Sequence, residues 1–408
     1  MQETPKGNRL HIAIFGRRNV GKSSLINSLT NQDIALVSEI PGTTTDPVYK
    51  AMEILPIGPV MVIDTAGIDD EGGLGALRVE RTMQVLNKTD LAIVVIDPSV
   101  GATEFDEEIL EEITKRKIAA IGVINKSDVY AVNDEEIKSV SEALKIPITA
   151  VSAKSGTGIE ELKRSIIKNA PESWDTHTVI GDLLNPGDNV VLVVPIDLAA
   201  PKGRLILPQV QTIRDVLDHD AYCTVVKERE LKDVLDNMRK KPKIVVTDSQ
   251  EFLKVAADTP PDVMLTSFSI LFARYKGDLE TLVAGAKAID KLKPGDKVLI
   301  AEGCTHHRQA DDIGQVKIPR WLRQSVGGDL NFEWVSGGSF PSDLDKYKLI
   351  VHCGSCMLNR REVLYRLAQA REKNVPIVNY GVLIAHIHGI LYRALAPFPL
   401  AQMLLEDD

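Results

Sequence analysis

A chain of 408 residues, 44% hydrophobic and 26% charged, has enough apolar content to pack cores over roughly two to four domains, which excludes a disordered polyelectrolyte. Its 48 basic and 57 acidic residues give a net charge of −9, which weighs against broad coating of nucleic acid. Four cysteines are too few for a disulfide-stapled scaffold, no apolar run reaches the ~18–20 residues of a membrane-spanning helix, and the polar first ten residues lack a signal-peptide core, so a soluble, cytoplasmic protein without a membrane partner is expected.

Residues 11–15 are an apolar run that ends in a glycine, and 23–29 read as a helix with Leu25, Ile26 and Leu29 on one face. Segments 50–57 and 60–63 are β-rich, with Gly58 and Pro59 between them as a hairpin-type connection. Runs 91–96, 118–124 and 146–151 are candidates for buried strands, which makes 8–170 an α/β domain with a largely parallel sheet. Residues 171–187, with Pro171, Gly181, Pro186 and Gly187 and little periodicity, read as a linker. A second α/β unit follows over 188–267, with strands at 189–197, 223–227, 243–247 and 263–267 and helices at 210–218, 229–238 and 251–257. A long helix over 269–292 opens a third unit, 268–408, with strands at 297–301, 348–351 and 376–378 and a helix at 361–371.

Gly16-Arg17-Arg18-Asn19-Val20-Gly21-Lys22-Ser23 matches G-x-x-x-x-G-K-[ST] after a strand and at the start of a helix. Glycines let successive backbone N–H groups turn inward, and the helix N-terminus adds partial positive charge, so the stretch through Ser24 suits a phosphate chain. Lys22 is expected to reach the β- and γ-phosphates, and the Ser23 hydroxyl to ligate Mg²⁺. Asp64-Thr65-Ala66-Gly67 follows a strand; its carboxylate suits the Mg²⁺ shell, and the Gly67 N–H can sense a γ-phosphate. Asn125-Lys126-Ser127-Asp128 also follows a strand, and a carboxylate there accepts from guanine N1–H and the 2-amino group, which adenine does not offer. Ser152, Ala153 and Lys154 close the base pocket. In this order and spacing the fragments indicate a GTPase that cycles between GTP and GDP. The fold class expected is therefore α/β in three domains, an N-terminal P-loop GTPase followed by two smaller α/β units with mainly parallel sheets.

The set resembles the translation-factor class of P-loop GTPases, in particular the branch of tRNA-modification and ribosome-assembly GTPases. Asn19 falls where that branch has a K⁺-binding asparagine, and Ser38-Glu39-Ile40-Pro41-Gly42-Thr43-Thr44-Thr45-Asp46 resembles its switch I. The resemblance implies Thr44 as an Mg²⁺ ligand and Ser38, Ile40 and Thr43 around K⁺, a cation that could replace an arginine finger. Lys22, Thr44 and Gly67 are then the catalytic candidates. Ile68 stands where a Ras-like enzyme orients water with glutamine, so slow unassisted hydrolysis is expected. The acidic stretch 69–71 offers no single residue for that role.

Three of the four cysteines lie late in the chain beside histidines: Cys304-Thr305-His306 after one strand and His352-Cys353-Gly354-Ser355-Cys356 after another. Strand carboxyl ends in a parallel sheet form crevices, so the two clusters could meet. Three thiolates with nearby imidazoles suit either zinc or an iron–sulfur cluster. His307 reads as a neighbour, His386 and His388 as packing or solvent-facing residues, and Cys223 as core.

A GTPase followed by C-x-H-x₄₅-H-C-x-x-C resembles the [FeFe]-hydrogenase maturation GTPase family, the HydF family, over the whole chain. That resemblance implies Cys304, Cys353 and Cys356 as ligands of a [4Fe–4S] cluster, with His306 and His352 as candidate fourth ligands or contacts to a transient di-iron subcluster. It implies radical SAM maturases and [FeFe]-hydrogenase apoprotein as partners and a middle dimerisation domain, hence a homodimer; the net charge of −9 points to no nucleic-acid partner. With the nucleotide and metal sites on different domains, the GTPase is expected to act as a switch. The alternatives are an RNA- or ribosome-acting GTPase with a structural zinc domain, and a metallochaperone delivering a single ion. The first would call for a basic face, the second for a histidine-rich tract.

Overall fold

Six strands build the first sheet of the computed structural model, which describes residues 4–30, 47–65, 73–171, 177–195, 205–303 and 312–406, the side chains of 73–78 excepted. They are β1 (Leu10–Phe15), β2 (Val48–Ile54), β3 (Gly58–Asp64), β4 (Leu91–Ile96), β5 (Ala119–Ile124) and β6 (Ile148–Ala150), in the order β2-β3-β1-β4-β5-β6. Only β2 runs antiparallel, against β3. All six residues of β1 are buried because helices cover both faces. Leu10, Ile12 and Ile14 enter one core while Ala13 and Phe15 enter the other, the alternation a pleated strand imposes. The β2–β3 connection falls at 55–57 rather than at Gly58-Pro59. Those two residues belong to β3, where Pro59, near the strand's beginning, is tolerated without an amide proton.

Residues His177–Asp408 form a second compact unit, separate from Met1–Thr176. Its first sheet contains β7 (Asn189–Val193), β8 (Tyr222–Val226), β9 (Ile244–Thr247) and β10 (Met264–Ser267), all parallel, ordered β10-β9-β7-β8. Its second contains β11 (Lys297–Glu302), β12 (Asn331–Ser336), β13 (Leu349–His352) and β14 (Ile377–Asn379), again parallel, ordered β12-β11-β13-β14. Residues on both sides of 267 share one hydrophobic core, from Val179 to Ala401.

Two elements differ from expectation. The single helix expected over 269–292 is two α-helices, Phe268–Lys276 and Leu279–Ala286, followed by a 3₁₀ turn at Ile289–Lys291. Gly277 leaves the helix, and Asp278 restarts it by accepting from the Thr281 N–H at 2.7 Å. Strand β12 was not anticipated; as an edge strand its residues are exposed or half-buried, so it lacks the continuous apolar run of β11 and β13.

The third sheet also sets the position of the late cysteines. From β11 the chain goes to β12 on one side, while β13 and β14 lie on the other, so the strand order reverses between β11 and β13. Crevices open at the carboxyl ends of strands at such a point. Ala301 on β11 pairs with His352 on β13, so Gly303 and Cys353 leave the sheet side by side.

Candidate functional sites

The loop between β1 and helix Lys22–Thr30 depends on its glycines. Gly16 has φ +148°, and a Cβ there would lie 2.6 Å from the Val95 carbonyl oxygen. Gly21 has φ +91°, and a Cβ there would meet Asn125 Nδ2 at 2.3 Å. Asn19, exposed at the tip, has φ 59°. The buried Lys22 ammonium donates to the carbonyls of Gly16 and Arg17, both at 2.7 Å, so it lies across the loop that surrounds it.

Ser23 and Asp64 meet as a metal pair requires. Ser23 Oγ donates to Asp64 Oδ2 at 2.6 Å. The other carboxylate oxygen, Oδ1, is buried and has no hydrogen-bond partner among the described residues. Burial pushes the Asp64 carboxyl up, against the hydrogen bond from Ser23 and the charges of Lys22 and Lys50. An orphaned buried oxygen beside a serine hydroxyl is a donor set that fits Mg²⁺.

The base-binding segments are tied to the phosphate loop through Asn125. Its Nδ2 donates to the Val20 carbonyl at 2.8 Å, and its Oδ1 accepts from the Ala153 N–H at 3.0 Å. Buried Ser152 donates to Asp128 Oδ1 at 2.7 Å and accepts from the Ser155 N–H at 3.1 Å. The hydrogen bond from Ser152 holds the Asp128 carboxyl below its ordinary range. That leaves an exposed carboxylate oriented by its neighbour, with Lys154 also exposed beside it. Ser24 follows on the first turn of the helix, half-buried.

Sequence reasoning overlooked two residues here. Asp97, immediately after β4, forms an ion pair with Lys126 at 2.9 Å. Burial alone would raise its carboxyl, but hydrogen bonds from Ser99 and Lys126 bring it down to about 2. The visible signal was an acidic residue at a strand's carboxyl end. Lys50 on β2 is buried and donates to Asn27 Oδ1 at 2.8 Å, with its pKa lowered by burial against the opposing pull of Asp64. Ser38, Ile40, Thr43, Thr44 and Gly67 lie outside the described residues.

In the second unit, Cys353 and Cys356 flank a turn at the end of β13, with Ser355 at φ 56°. Cys353 Sγ accepts from the Gly303 N–H at 3.0 Å and the Ser355 N–H at 3.4 Å. Backbone donors converging on sulfur, at a strand end beside a second cysteine, stabilise a thiolate and would fit an iron–sulfur ligand. Cys304 and His306, with His307, lie outside the described residues.

His352 is buried at 3% exposure. Its Nε2 faces Arg366 Nη1 at 3.1 Å, and its Nδ1 lies 3.0 Å from both the Cys353 carbonyl oxygen and Ser355 Oγ. Burial, with the Arg366 charge beside it, lowers its pKa to about 3, so the ring is neutral. Arg366, 1% exposed, also donates to the Gly337 carbonyl at 2.7 Å and Glu362 Oε1 at 2.8 Å. His386 pairs with Asp290 at 3.0 Å, and the His388 ring stands edge-on to Trp321. Cys223 is half-buried against the core, and burial pushes its thiol up. Among the described residues, no group of three or more His, Cys, Asp or Glu side chains is placed to hold a metal, and no helix is long and apolar enough to cross a membrane.

Residues 11–126 match the 50S ribosome-binding GTPase family, 179–277 the Hydrogen maturase F dimerization domain and 280–397 the Hydrogen maturase F tetramerization domain. The tRNA modification GTPase MnmE of Heliobacterium modesticaldum is 42% identical over 154 residues, 38% of this chain and 32% of that protein. GTPase Der of a Nitratiruptor species is 38% identical over 171 residues, 40% of this chain and 37% of that protein. The chain thus spans about a third of the length of these curated relatives. A crystal structure of Aquifex aeolicus Era bound to GDP·AlF4− aligns with a TM-score of 0.37 at 24% identity, covering 53% of this chain and 92% of that one. The first unit is a GTPase domain, and the second carries domains for oligomerisation.

Proposed function

The chain belongs to the hydrogen maturase F family, and on that premise we propose that it is a GTP-hydrolysing scaffold that binds a [4Fe–4S] cluster and carries the di-iron subcluster to [FeFe]-hydrogenase apoprotein. The observation that carries the reading is the Cys353 thiol, cradled by two backbone donors within the tetramerization-domain span of a chain that begins with a GTPase domain. Radical SAM maturases would supply the parts of the di-iron unit.

In the GTPase domain, Gly16, Asn19, Val20, Gly21 and Ser24 would wrap the phosphates with backbone N–H groups, and Lys22 would exchange its loop carbonyls for β- and γ-phosphate oxygens. Ser23, Asp64 and Thr44 would hold Mg²⁺, which neutralises charge on the phosphates. Asp128 would select guanine, with Asn125, Lys126, Ser152, Ala153 and Lys154 forming the pocket. Asn19, with Ser38, Ile40 and Thr43, would surround K⁺. Gly67 would report the γ-phosphate, and Ile68 leaves unassisted hydrolysis slow, which suits a switch.

In the second unit, Cys304, Cys353 and Cys356 would hold the cluster, with His306 and His352 as the nearby imidazoles. A [4Fe–4S] cluster on three thiolates leaves one iron open to a further ligand, the attachment it offers an incoming di-iron unit.

Anaerobic reconstitution followed by EPR tests the cluster. A reduced [4Fe–4S] signal that is altered in Cys304→Ser, Cys353→Ser and Cys356→Ser supports the reading, whereas stoichiometric zinc with no iron overturns it. GTPase assays in KCl and NaCl test the cation: a rate well above that in Na⁺ is expected in K⁺, and equal rates would remove K⁺ from the site.

A further inference from the structure

We propose that Arg366 is the positioning residue of the cysteine loop, acting through His352, and that His352 supports the loop instead of ligating iron. The inference rests on the cluster reading for its consequence at iron, but its structural content does not.

A guanidinium has five N–H donors and no acceptor, so a ring nitrogen facing it must present a lone pair. Nε2 of His352, 3.1 Å from Arg366 Nη1, is therefore the unprotonated nitrogen, and Nδ1 carries the proton. That proton points at the Cys353 carbonyl, with Ser355 Oγ equally near at 3.0 Å. Both nitrogens are thus committed, one to the arginine and one to the loop, and neither offers a lone pair to a metal. Ser355 Oγ in turn donates to the same Cys353 carbonyl at 3.2 Å.

Arg366 is itself held through both terminal nitrogens. Helix Arg360–Glu372 carries both it and Glu362, whose carboxylate it engages one turn away. It also reaches the Gly337 carbonyl just past β12, and its guanidinium lies 5.2 Å from the Phe340 ring centroid. One side chain thereby connects the helix after the cysteine turn, the segment after β12 and the end of β13. The connection ends at Cys353, whose amide donates to Ala301 on β11 at 3.0 Å and whose sulfur accepts from Gly303. A shift of His352 is therefore transmitted to a sulfur in one step. Groups beyond the ligands commonly fix metal sites this way.

The test compares full-length wild type with His352→Gln, Arg366→Met, Arg366→Lys and the His352→Gln/Arg366→Met pair. In cluster-free protein, amide hydrogen exchange at Cys353 and Leu358 should rise on the order of tenfold in His352→Gln and Arg366→Met, no further in the pair, with partial recovery in Arg366→Lys. The GTPase rate should be unchanged in all four, and amide exchange across the other strands of the second unit should match wild type, which shows that the mutated unit folds. After reconstitution, His352→Gln should keep the nitrogen hyperfine couplings of the reduced cluster, while its midpoint potential moves in the same direction as that of Arg366→Met. Additive exchange effects, or wild-type exchange in Arg366→Met, would overturn the relay. Loss of a nitrogen coupling in His352→Gln would make His352 a ligand and overturn the second half. A wild type that takes up no iron would refute the cluster reading and leave the exchange comparison to decide the relay.

Discussion

At Asp64 the two carboxylate oxygens have different surroundings: Oδ2 accepts from Ser23, while Oδ1 is buried without a partner among the described residues. Such an oxygen costs ~1–3 kcal/mol unless something binds it. Asp64→Asn should keep the shape and lose the charge, raising the Mg²⁺ concentration for half-maximal GTPase activity about tenfold or more. A magnesium titration of the rate checks this, and an unchanged midpoint would remove Asp64 from the metal shell. Asp97 offers a different test. Its folded pKa of about 2 lies below the ordinary 3.8, so the hydrogen bonds from Ser99 and the pairing with Lys126 stabilise the domain above that ordinary value. The contribution fades as the pH falls toward about 2. Asp97→Asn should therefore lower stability near neutrality and flatten the decline between those two values. Denaturant melts of the first unit's fluorescence across that range measure it; parallel wild-type and variant curves would exclude a role for the Asp97 charge.

At the scale of elements, the phosphate loop tolerates least. A Cβ at Gly21 would meet Asn125 Nδ2, the group that joins this loop to the base-binding segments, in a backbone conformation L-residues avoid. Gly21→Ala should reduce GDP affinity at least ~100-fold with little change in far-ultraviolet circular dichroism, because the strain is confined to the loop. Isothermal titration with GDP checks it, and near-wild-type affinity would show that Asn125 swings clear. This loop was legible in the sequence because its chemistry is local: glycines, lysine and serine stand at fixed spacing. The buried strands were legible too, since covering both faces of a sheet demands unbroken apolar runs such as Leu91–Ile96. Strand β12 was not, because an edge strand is half-polar, as Asn331–Ser336 is. Nor was the helix break at Gly277, where Asp278 caps the next helix but the apolar spacing continues through it. Arg366 was hidden for a third reason. Its partners, Gly337 and His352, are 29 and 14 residues away, and only the tertiary fold brings them together.

For the whole molecule, the oligomerisation domains require a surface, and the second unit offers one at β8. This strand lies at the edge of its sheet, with Tyr222 49% and Val225 45% exposed, whereas β10 at the opposite edge has three of its four residues buried. Leu217, on helix Leu207–Asp218, which leads into β8, is 55% exposed as well. An edge strand with exposed apolar side chains is what natural sheets cover or charge, and β8 carries neither lysine nor proline. It also lies inside the span that matches the dimerization domain. Pairing of β8 with its copy would extend the sheet and set neighbours beside Tyr222 on one face and Val225 on the other. Tyr222→Lys with Val225→Lys should place like charges across such a seam and shift the sedimenting species to half the wild-type mass, with the GTPase rate retained. Cys223, between the two and half-buried, supplies a second readout: its thiol should react faster with a maleimide in the variant once the edge is open. An unchanged sedimentation profile with unchanged thiol reactivity would move the dimer contact away from this edge and leave β8 to be covered by some other part of the chain.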